Sequence, residues 1–275
     1  MNDRTIKFID ATIGRLTVKL MGMGRGRNAR PIPSWNLDDH SEFLLIRPGG
    51  IGDAALLAPL IRWLSDHGKT VDILCMQRNA GVFSILRSRG MIRHINHLDS
   101  PSDMIRLIRH HRYDVILDTE QSFYLSAVAS RFIRRSIIIG FDTNERRNLY
   151  DAFVRYSQED YEAESFMRLL EPFGIQERPI FTPVSRSRGN TLAVFAGASH
   201  PGRLWPPDHW REVLDRIGDR FDEVILIGGP AEKELNDKIA KAYRHKNLRN
   251  EAGNLTLGGT LEVLESVSHL LSTDS

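Results

Sequence analysis

Short apolar runs alternate with amphipathic segments of helical length along most of the chain, and this alternation limits the possible folds more than any other feature. A strand followed by a helix and then by another strand favours a parallel sheet covered by helices. In the first half we predict strands at residues 43–46, 71–75, 92–95, 115–117 and 137–139, with helices that begin near Ala54, Ala80, Ser102 and Ser122. The pattern therefore predicts an α/β fold.

The alternation pauses after a helical segment at residues 159–173 and starts again near residue 191. The stretch between them, GIQERPIFTPVSRSRGN, is rich in turn-forming residues and is typical of an interdomain linker. In the second half we predict strands at 191–195, 224–227 and 270–275, and helices at 207–217, 231–243 and 260–268. A chain of 275 residues with 41% apolar residues can bury two such cores. We therefore predict two similar α/β lobes with a cleft between them.

Four regions follow from this pattern. They are an N-terminal extension and linker at 1–40, a first Rossmann-like lobe at 41–174, a linker at 175–190 and a second Rossmann-like lobe at 191–275.

Composition limits the cellular compartment of the chain and the kinds of site that it can contain. The single cysteine, Cys75, excludes an internal disulfide and a cysteine-based metal site. No apolar run reaches the length of about 18 residues that spans a membrane, and the N-terminus lacks a secretory signal. A cytoplasmic protein is expected, with no metal and no nucleic-acid partner.

The N-terminal segment has the spacing of a basic amphipathic helix. Ile6, Ile9, Ile13, Leu16 and Leu20 recur every three or four residues, and the first 31 residues carry seven basic and two acidic side chains. Such a helix can lie in an anionic membrane interface through residues 4–21. A helix packed on the protein's own surface gives the same spacing, so both interpretations stay open.

A glycine-rich turn, GIGDAA at 50–55, follows the first predicted strand and matches a dinucleotide fingerprint. Asp53 argues against a bound pyrophosphate, because its carboxylate already occupies the helix N-terminus that would attract one. Two interpretations of Asp53 remain. It caps the helix or binds first-turn amides, or it is a general base beside Gly49 and Gly50, which leave room for a substrate.

Two motifs of the second half offer ligands for a nucleotide. In FAGASHPGRLWPPDHW, Ser199 supplies a hydroxyl and Arg203 a permanent cation suited to phosphate. In LIGGPAEKEL, Gly228 and Gly229 precede Glu232, whose carboxylate suits ribose hydroxyls. Residues 78–155 contain thirteen Arg, no Lys and eight acidic residues. This bias indicates either anion recognition or solvated helix faces.

These three motifs, in this order and with the segment RRSIIIGFDTNERR between them, resemble glycosyltransferase family 9, the ADP-heptose:lipopolysaccharide heptosyltransferases. The resemblance runs from about residue 43 to the last residue. It implies a GT-B fold, in which the parallel sheets of two Rossmann-like lobes face a cleft. It also implies inverting, metal-independent transfer of a sugar from an ADP-sugar to the lipopolysaccharide inner core, without a cofactor.

The resemblance also implies roles for individual residues. Asp53 is the base that takes the proton of the acceptor hydroxyl, and the first lobe binds the acceptor. Ser199 and Arg203 hold the diphosphate of the donor, and Glu232 holds its ribose beside Gly228 and Gly229. Asp274 and Ser275 begin the last motif of the donor lobe. Because the acceptor is an anionic glycolipid, Arg146 and Arg147 are its candidate ligands, together with Gly49 and Gly50.

Three departures from the family pattern limit the expected activity. Arg203 replaces the usual lysine, Phe195 and Ala196 replace a polar residue and a proline, and the chain ends before the last motif is complete. An incomplete second lobe and weak transfer are therefore expected.

Two other classes of protein stay open. One is an inactive family member that binds a nucleotide sugar or glycolipid at the periphery of the cytoplasmic membrane. The other is a nucleotide-dependent oxidoreductase, which would need an acidic residue where the second strand ends at Arg78.

Overall fold

The computed structural model describes residues 10–22, 35–181, 189–198 and 200–273. The chain forms two compact units, residues 1–181 and 182–275. Each unit holds a parallel β-sheet with helices along the chain between its strands, which confirms the α/β prediction. Ser199, Asp274, Ser275 and the first part of the predicted N-terminal helix, residues 1–9, lie outside the described residues.

The first unit contains a six-stranded parallel sheet in the order β3-β2-β1-β4-β5-β6. This is the strand order of a dinucleotide-binding Rossmann fold. The strands are β1 (Glu42–Arg47), β2 (Thr70–Cys75), β3 (His94–His97), β4 (Arg112–Asp118), β5 (Arg134–Phe141) and β6 (Ala152–Val154).

The central strands form where the sequence is continuously apolar. Phe43, Leu44, Leu45 and Ile46 of β1 have no exposed surface, as expected for a strand covered on both faces. Several details differ from the sequence prediction, among them the greater lengths of β4 and β5. Strand β3 begins two residues later than expected, and β6 was not predicted, since three residues carry almost no periodic signal.

Seven α-helices are described in the first unit. In the fifth, Pro101 occupies the first turn and the Ser100 hydroxyl accepts a hydrogen bond from the Asp103 amide at 3.4 Å, which fixes the start of the helix. The helices are α1 (Arg15–Gly22), α2 (Ile51–Leu56), α3 (Ala58–Asp66), α4 (Ala80–Ser88), α5 (Pro101–His110), α6 (Tyr124–Phe132) and α7 (Glu162–Arg168).

The described part of the N-terminal segment packs against the first unit. Val18 of α1 has no exposed surface and belongs to the same core cluster as Leu44 and Ile46. The carboxylate of Asp10 accepts hydrogen bonds from two backbone amides at the start of α6, at 3.0 and 2.7 Å. Leu16 and Leu20 of the predicted apolar stripe lie instead on the exposed face. Of the two interpretations, Leu16 and Leu20 therefore do not support a stripe packed on the protein's own surface, and Val18 is the buried residue of this helix.

The second unit contains a four-stranded parallel sheet in the order β10-β7-β8-β9. In the opposite direction the order is β9-β8-β7-β10, in which β7 to β10 take the places of β1 to β4 in the order β3-β2-β1-β4. The two units therefore share the mononucleotide-binding topology. Short β9 was not predicted. The elements are β7 (Thr191–Phe195), α8 (Pro207–Ile217), β8 (Glu223–Ile227), α9 (Lys233–Ala242), β9 (Leu248–Asn250), α10 (Leu257–Ser266) and β10 (His269–Ser272).

None of the helices in the described ranges combines the length and the apolar content needed to cross a membrane. Within the same ranges, no three His, Cys, Asp or Glu side chains are grouped so that they could hold a metal ion.

Candidate active site

The candidate site of the first unit lies where the strand order reverses. Strand β1 pairs with β2 on one side and with β4 on the other, and Ile46 stands in register with Asp118. The chain therefore leaves β1 and β4 at the same carboxyl edge, next to each other. Ligands of open parallel sheets bind at such a point.

An open pocket of about 460 Å³ lies at this edge, within the range of small-ligand sites. The loops after β1 and β4 supply most of its wall, and one side chain follows β2. The lining residues are Arg47, Gly49, Gly50, Ile51, Asp53, Arg78, Glu120, Gln121, Ser122 and Phe123. Two cations and two carboxylates among them make the pocket suitable for a polar ligand.

Asp53 lies in the first turn of α2, but it does not cap that helix. Gly50 occupies the N-cap position, and no side chain caps it. The Asp53 carboxylate instead accepts a hydrogen bond from Nη2 of Arg47 through Oδ2, and 45% of its side chain is exposed. The capping interpretation is therefore corrected: Asp53 is held by a side chain and faces the pocket.

Arg47, the last residue of β1, is the buried partner of Asp53. Only 2% of its side chain is exposed, and Nη1 donates to the Thr119 carbonyl oxygen at 2.7 Å and to Gln121 Oε1 at 3.0 Å. A Cβ on Gly49 would lie 2.8 Å from Nη2, so the space beside this glycine is filled by the guanidinium and not by a substrate. Sequence reasoning missed Arg47, although a cation that ends a buried apolar strand is a signal.

Arg146, a predicted acceptor ligand, lies in the interior with no exposed surface. Its Nη2 donates to the Tyr150 hydroxyl at 2.7 Å and lies 3.3 Å from Asp118 Oδ2. Nη2 also donates to the carbonyl oxygen of Glu120. The prediction for Arg146 is therefore corrected, because its charge is neutralised inside the fold and does not face a ligand.

The Asp118, Arg146 and Tyr150 side chains form one charged network. Burial raises the pKa of Tyr150 well above its usual value, so its hydroxyl keeps the proton that it donates to Asp118 Oδ2 at 2.8 Å. Burial opposes the charge of Arg146, but Tyr150 and Asp118 raise its pKa overall. Burial also raises the pKa of Asp118, and Arg146 and Tyr150 oppose this shift. The three side chains thus form one buried, hydrogen-bonded cluster that contacts the backbone of Glu120.

A second chain of contacts continues from Arg47 through Gln121 to Glu162. Gln121 donates to Glu162 Oε1, and the Tyr156 hydroxyl donates to Glu162 Oε2 at 3.1 Å. Burial raises the pKa of Glu162 above its usual value and raises that of Tyr156 to about 12. Tyr156 therefore keeps the proton that it donates to Glu162, and this bond partly opposes the effect of burial on the Glu162 pKa.

Two further arginines lie at the surface of this unit. Arg147 is about half exposed and pairs with Asp142 at 3.1 Å, but it is not among the residues that line the pocket. Arg78 does line the pocket, and its Nη2 donates to the Pro48 carbonyl oxygen at 3.2 Å. Arg78 follows β2 in the chain, and the sequence prediction did not assign it to the acceptor.

In the second unit the predicted donor residues follow β7 and β8. A Cβ on Gly197 would lie 2.5 Å from Cγ of Glu232, so the two loops touch. The Gly229 amide donates to Glu232 Oε2 at 2.8 Å, which folds this carboxylate back onto the loop of Gly228 and Gly229. Arg203 is exposed at the end of the 3-10 helix Pro201–Arg203.

The loop after β7 also meets the end of β10. The Thr273 amide donates to the Phe195 carbonyl oxygen at 3.3 Å, and its hydroxyl donates to the carbonyl oxygen of Gly197. Since β10 and β7 are neighbours, this is again the point where the strand order reverses. The described loop around Gly197 and the end of β10 thus occupy the position in their sheet that the pocket occupies in the first.

Comparison with known structures shows the same fold. A glycosyltransferase family 9 protein from Veillonella parvula matches with a TM-score of 0.71 at 13% identity, over 88% of this chain and 77% of that one. E. coli heptosyltransferase WaaC with ADP matches with a TM-score of 0.71 at 16% identity, over 85% and 81%. E. coli ADP-heptose lps heptosyltransferase II matches with a TM-score of 0.68 at 18% identity, over 85% and 79%. No curated protein matches the chain.

The family model described as glycosyltransferase family 9 (heptosyltransferase) matches residues 102–275, more than half of the chain. The match covers the loop after β4, which lines the pocket, and both candidate loops of the second unit. It confirms the resemblance found in the motifs and, with the structures above, the GT-B type of fold. The chain is a glycosyltransferase and belongs to family 9, the heptosyltransferase family.

Proposed function

We propose that this glycosyltransferase transfers a heptose, or a related sugar, from an ADP-sugar to the inner core of lipopolysaccharide. Asp53 acts as general base. It takes the proton of an acceptor hydroxyl while that oxygen attacks the anomeric carbon of the donor. The new glycosidic bond forms as the bond to the diphosphate breaks, so ADP leaves with the bonding electrons. One in-line displacement inverts the anomeric carbon.

One observation carries this proposal: Asp53 is fixed and accessible at the same time. Arg47 holds Oδ2 from the buried side, whereas Oδ1 has no hydrogen-bond partner in the described part of the chain, and the half-exposed side chain lines the pocket. A general base needs this combination, since the carboxylate must be oriented and must still reach a hydroxyl. Arg47 is a positioning residue in this scheme.

The donor is assigned to the second unit. Arg203 supplies a cation for the diphosphate, a role that needs no metal in this proposal, and Ser199 is proposed beside it from the sequence alone. Glu232 has one oxygen bonded to the Gly229 amide, and the other is assigned to the ribose. Asp274 and Ser275 stay proposed donor ligands. The similar E. coli protein WaaC is described with ADP, which supports an ADP-sugar as donor.

The acceptor is assigned to the pocket of the first unit. Arg78 replaces Arg146 as the cation for its anionic groups, because Arg78 lines the pocket and Arg146 is buried. Arg147 is proposed for a more distant anionic group, since it lies at the surface outside the lining. Gly50 is proposed to leave room for the acceptor, because a Cβ there would meet only Asp53 Oδ2, at 3.9 Å.

The test compares the unchanged protein with Asp53→Asn. Asparagine keeps an oxygen that can accept from Arg47, but it cannot take a proton. With ADP-heptose and a panel of truncated lipopolysaccharide cores, we expect the transfer rate to fall about 10²- to 10⁴-fold. ADP binding, measured by calorimetry, should stay within about twofold.

The matched control is Asp66→Asn, which removes one exposed carboxylate from α3 of the same unit. We expect it to transfer at the rate of the unchanged protein. Full activity of Asp53→Asn would refute the assignment of the base, and loss of ADP binding together with transfer would indicate a structural role for Asp53.

A glycolipid acceptor also brings the protein to the membrane surface. Leu16 and Leu20 are exposed on α1 beside Arg15 and Lys19, and apolar residues next to basic ones favour an anionic interface. Both cations lie near Glu145, at 3.5 and 3.6 Å. We include peripheral membrane contact through this face in the proposal.

This contact is tested with Leu16→Ser combined with Leu20→Ser. Deleting the segment would be less informative, because Asp10 and Val18 belong to the packed unit. We expect the double variant to keep its melting temperature and to sediment less with vesicles that contain anionic lipid. Equal sedimentation of the variant and the unchanged protein would exclude this face as the membrane contact.

A further inference from the structure

The two carboxylate oxygens of Glu120 have different surroundings. The side chain follows β4 and is almost fully buried, with 2% of the residue exposed. Its Oε1 accepts three hydrogen bonds, from the Gln121 amide at 3.0 Å and from the amide and hydroxyl of Ser122 at 3.1 and 3.2 Å. Its Oε2 is buried and has no hydrogen-bond partner among the described residues. A buried acceptor without a donor is costly and calls for an explanation.

The charged network of Asp118 and Arg146 holds the backbone of Glu120. Its amide donates to Asp118 Oδ1 at 3.2 Å, and its carbonyl oxygen accepts from Arg146. Both partners are fully buried and bonded to each other. The orientation of Glu120 is therefore fixed before any ligand binds.

Glu120 lines the same pocket as Asp53. A carboxylate oxygen can only accept hydrogen bonds, so its complement in a ligand is a group that donates. A sugar hydroxyl is such a group, whereas a phosphate or carboxylate would be repelled. Presented to a ligand in this pocket, the unsatisfied oxygen would accept from the hydroxyl-bearing part of an acceptor, whereas an anionic part would be placed near Arg78.

We propose that Glu120 is an acceptor-binding residue whose Oε2 accepts a hydrogen bond from a second hydroxyl of the acceptor sugar, distinct from the one that Asp53 deprotonates. This inference rests on the proposed function. Two hydroxyls held at once fix the rotation of the sugar in the pocket. Glu120 therefore helps to determine which hydroxyl is glycosylated.

The test is Glu120→Gln, which keeps the shape of the side chain. The amide oxygen can accept the three bonds of Oε1, and the amide nitrogen then presents a donor to the pocket. Hydrogen bonds to charged groups have a net strength that corresponds to about 10- to 100-fold in affinity. We expect this loss of affinity for a deacylated lipopolysaccharide core, measured by calorimetry, with unchanged ADP affinity.

Glu159→Gln is the matched control, because it removes an exposed carboxylate from the same unit. Glu120→Asp is a second variant. It keeps the charge but withdraws it from the pocket, and we expect it to weaken binding as well. Thermal melting of each variant checks that the fold is intact.

Mono-deoxy versions of the core sugar give the sharpest readout. One mono-deoxy sugar should bind the unchanged protein more weakly than the complete sugar does. The same mono-deoxy sugar and the complete sugar should bind Glu120→Gln equally well. A purely structural role of Glu120 would not produce this difference. Core binding within about twofold for both Glu120 variants would overturn the inference. Binding without transfer by the unchanged protein would overturn the proposed reaction alone, and absence of core binding would overturn both.

Discussion

The carboxyl edges of the two sheets share a topology but are built differently. In the first unit the loops after β1 and β4 rest on buried charged side chains, and Arg47, Asp118 and Arg146 are each at most 2% exposed. In the described part of the second unit, the loops after β7 and β8 are held by contacts in which no buried ion pair takes part. Examples are the bond from the Gly229 amide to Glu232 and the two bonds of Thr273 to the loop after β7.

The difference fits the roles that we propose for the two edges. A general base works only in one orientation, so it needs rigid support from side chains. A diphosphate is recognised by glycines that allow close approach, by backbone amides and by an accessible cation, which need no buried scaffold. In the proposed function, one strand order thus serves two chemistries, because the proposed ligands lie on the loops and not in the sheet.

The largest effect expected from this comparison is on stability. Arg146→Met leaves Asp118 buried without its cation, and breaking a buried pair costs about 3–5 kcal/mol. Arg203→Met changes an exposed side chain of the second unit, and we expect a change within about 1 kcal/mol. Hydrogen exchange in β4 and β5, and separately in β7 and β8, measures each unit by itself.

Arg146→Met is expected to weaken hydrogen-exchange protection in β4 and β5 more than Arg203→Met weakens it in β7 and β8. If the two losses of protection were equal, the network of Asp118, Arg146 and Tyr150 would not be what supports the first edge. The two edges would then contribute equally to stability despite their different contacts.

Much of the fold follows from the sequence, because long apolar runs and capped helices carry their own signals. Strand β7 and helix α8 have the predicted bounds, and β1 differs by one residue at each end. The short strands β6 and β9 gave no such signal. They form because a neighbouring strand offers unpaired backbone groups, which depends on the tertiary structure.

The candidate site was less predictable than the fold. Asp53 could be chosen from its position in the motif, but its contact with Arg47 depends on how the chain leaves β1. Arg146 was misassigned because a sequence does not show that Asp118 and Tyr150 converge on it from β4 and from the segment before β6. Glu120 was missed for a related reason, since its unsatisfied oxygen becomes evident only when the donors to its other oxygen are located.

A smaller effect is expected from two glycines, one at each edge, neither of which has a positive φ. A Cβ on Gly140 would lie 2.4–2.9 Å from the ring of Tyr150, whose hydroxyl is fixed by Asp118 and Arg146. Because that ring cannot move aside, we expect Gly140→Ala to cost about 1–3 kcal/mol. A Cβ on Gly197 would meet Cγ of Glu232 at 2.5 Å and Cζ of the Phe195 ring at 2.9 Å, but both of these half-buried side chains can shift.

Gly197→Ala should therefore cost less than about 1 kcal/mol of stability and should instead weaken ADP binding, since Glu232 leaves the position assigned to the ribose. Gly140→Ala should leave ADP affinity unchanged. Denaturant titration and calorimetry with ADP on both variants measure the two effects. The opposite pattern, a large stability loss for Gly197→Ala with normal ADP binding, would show that the second edge is as rigid as the first. In that case Glu232 would support the loop of Gly228 and Gly229 and would not bind the nucleotide.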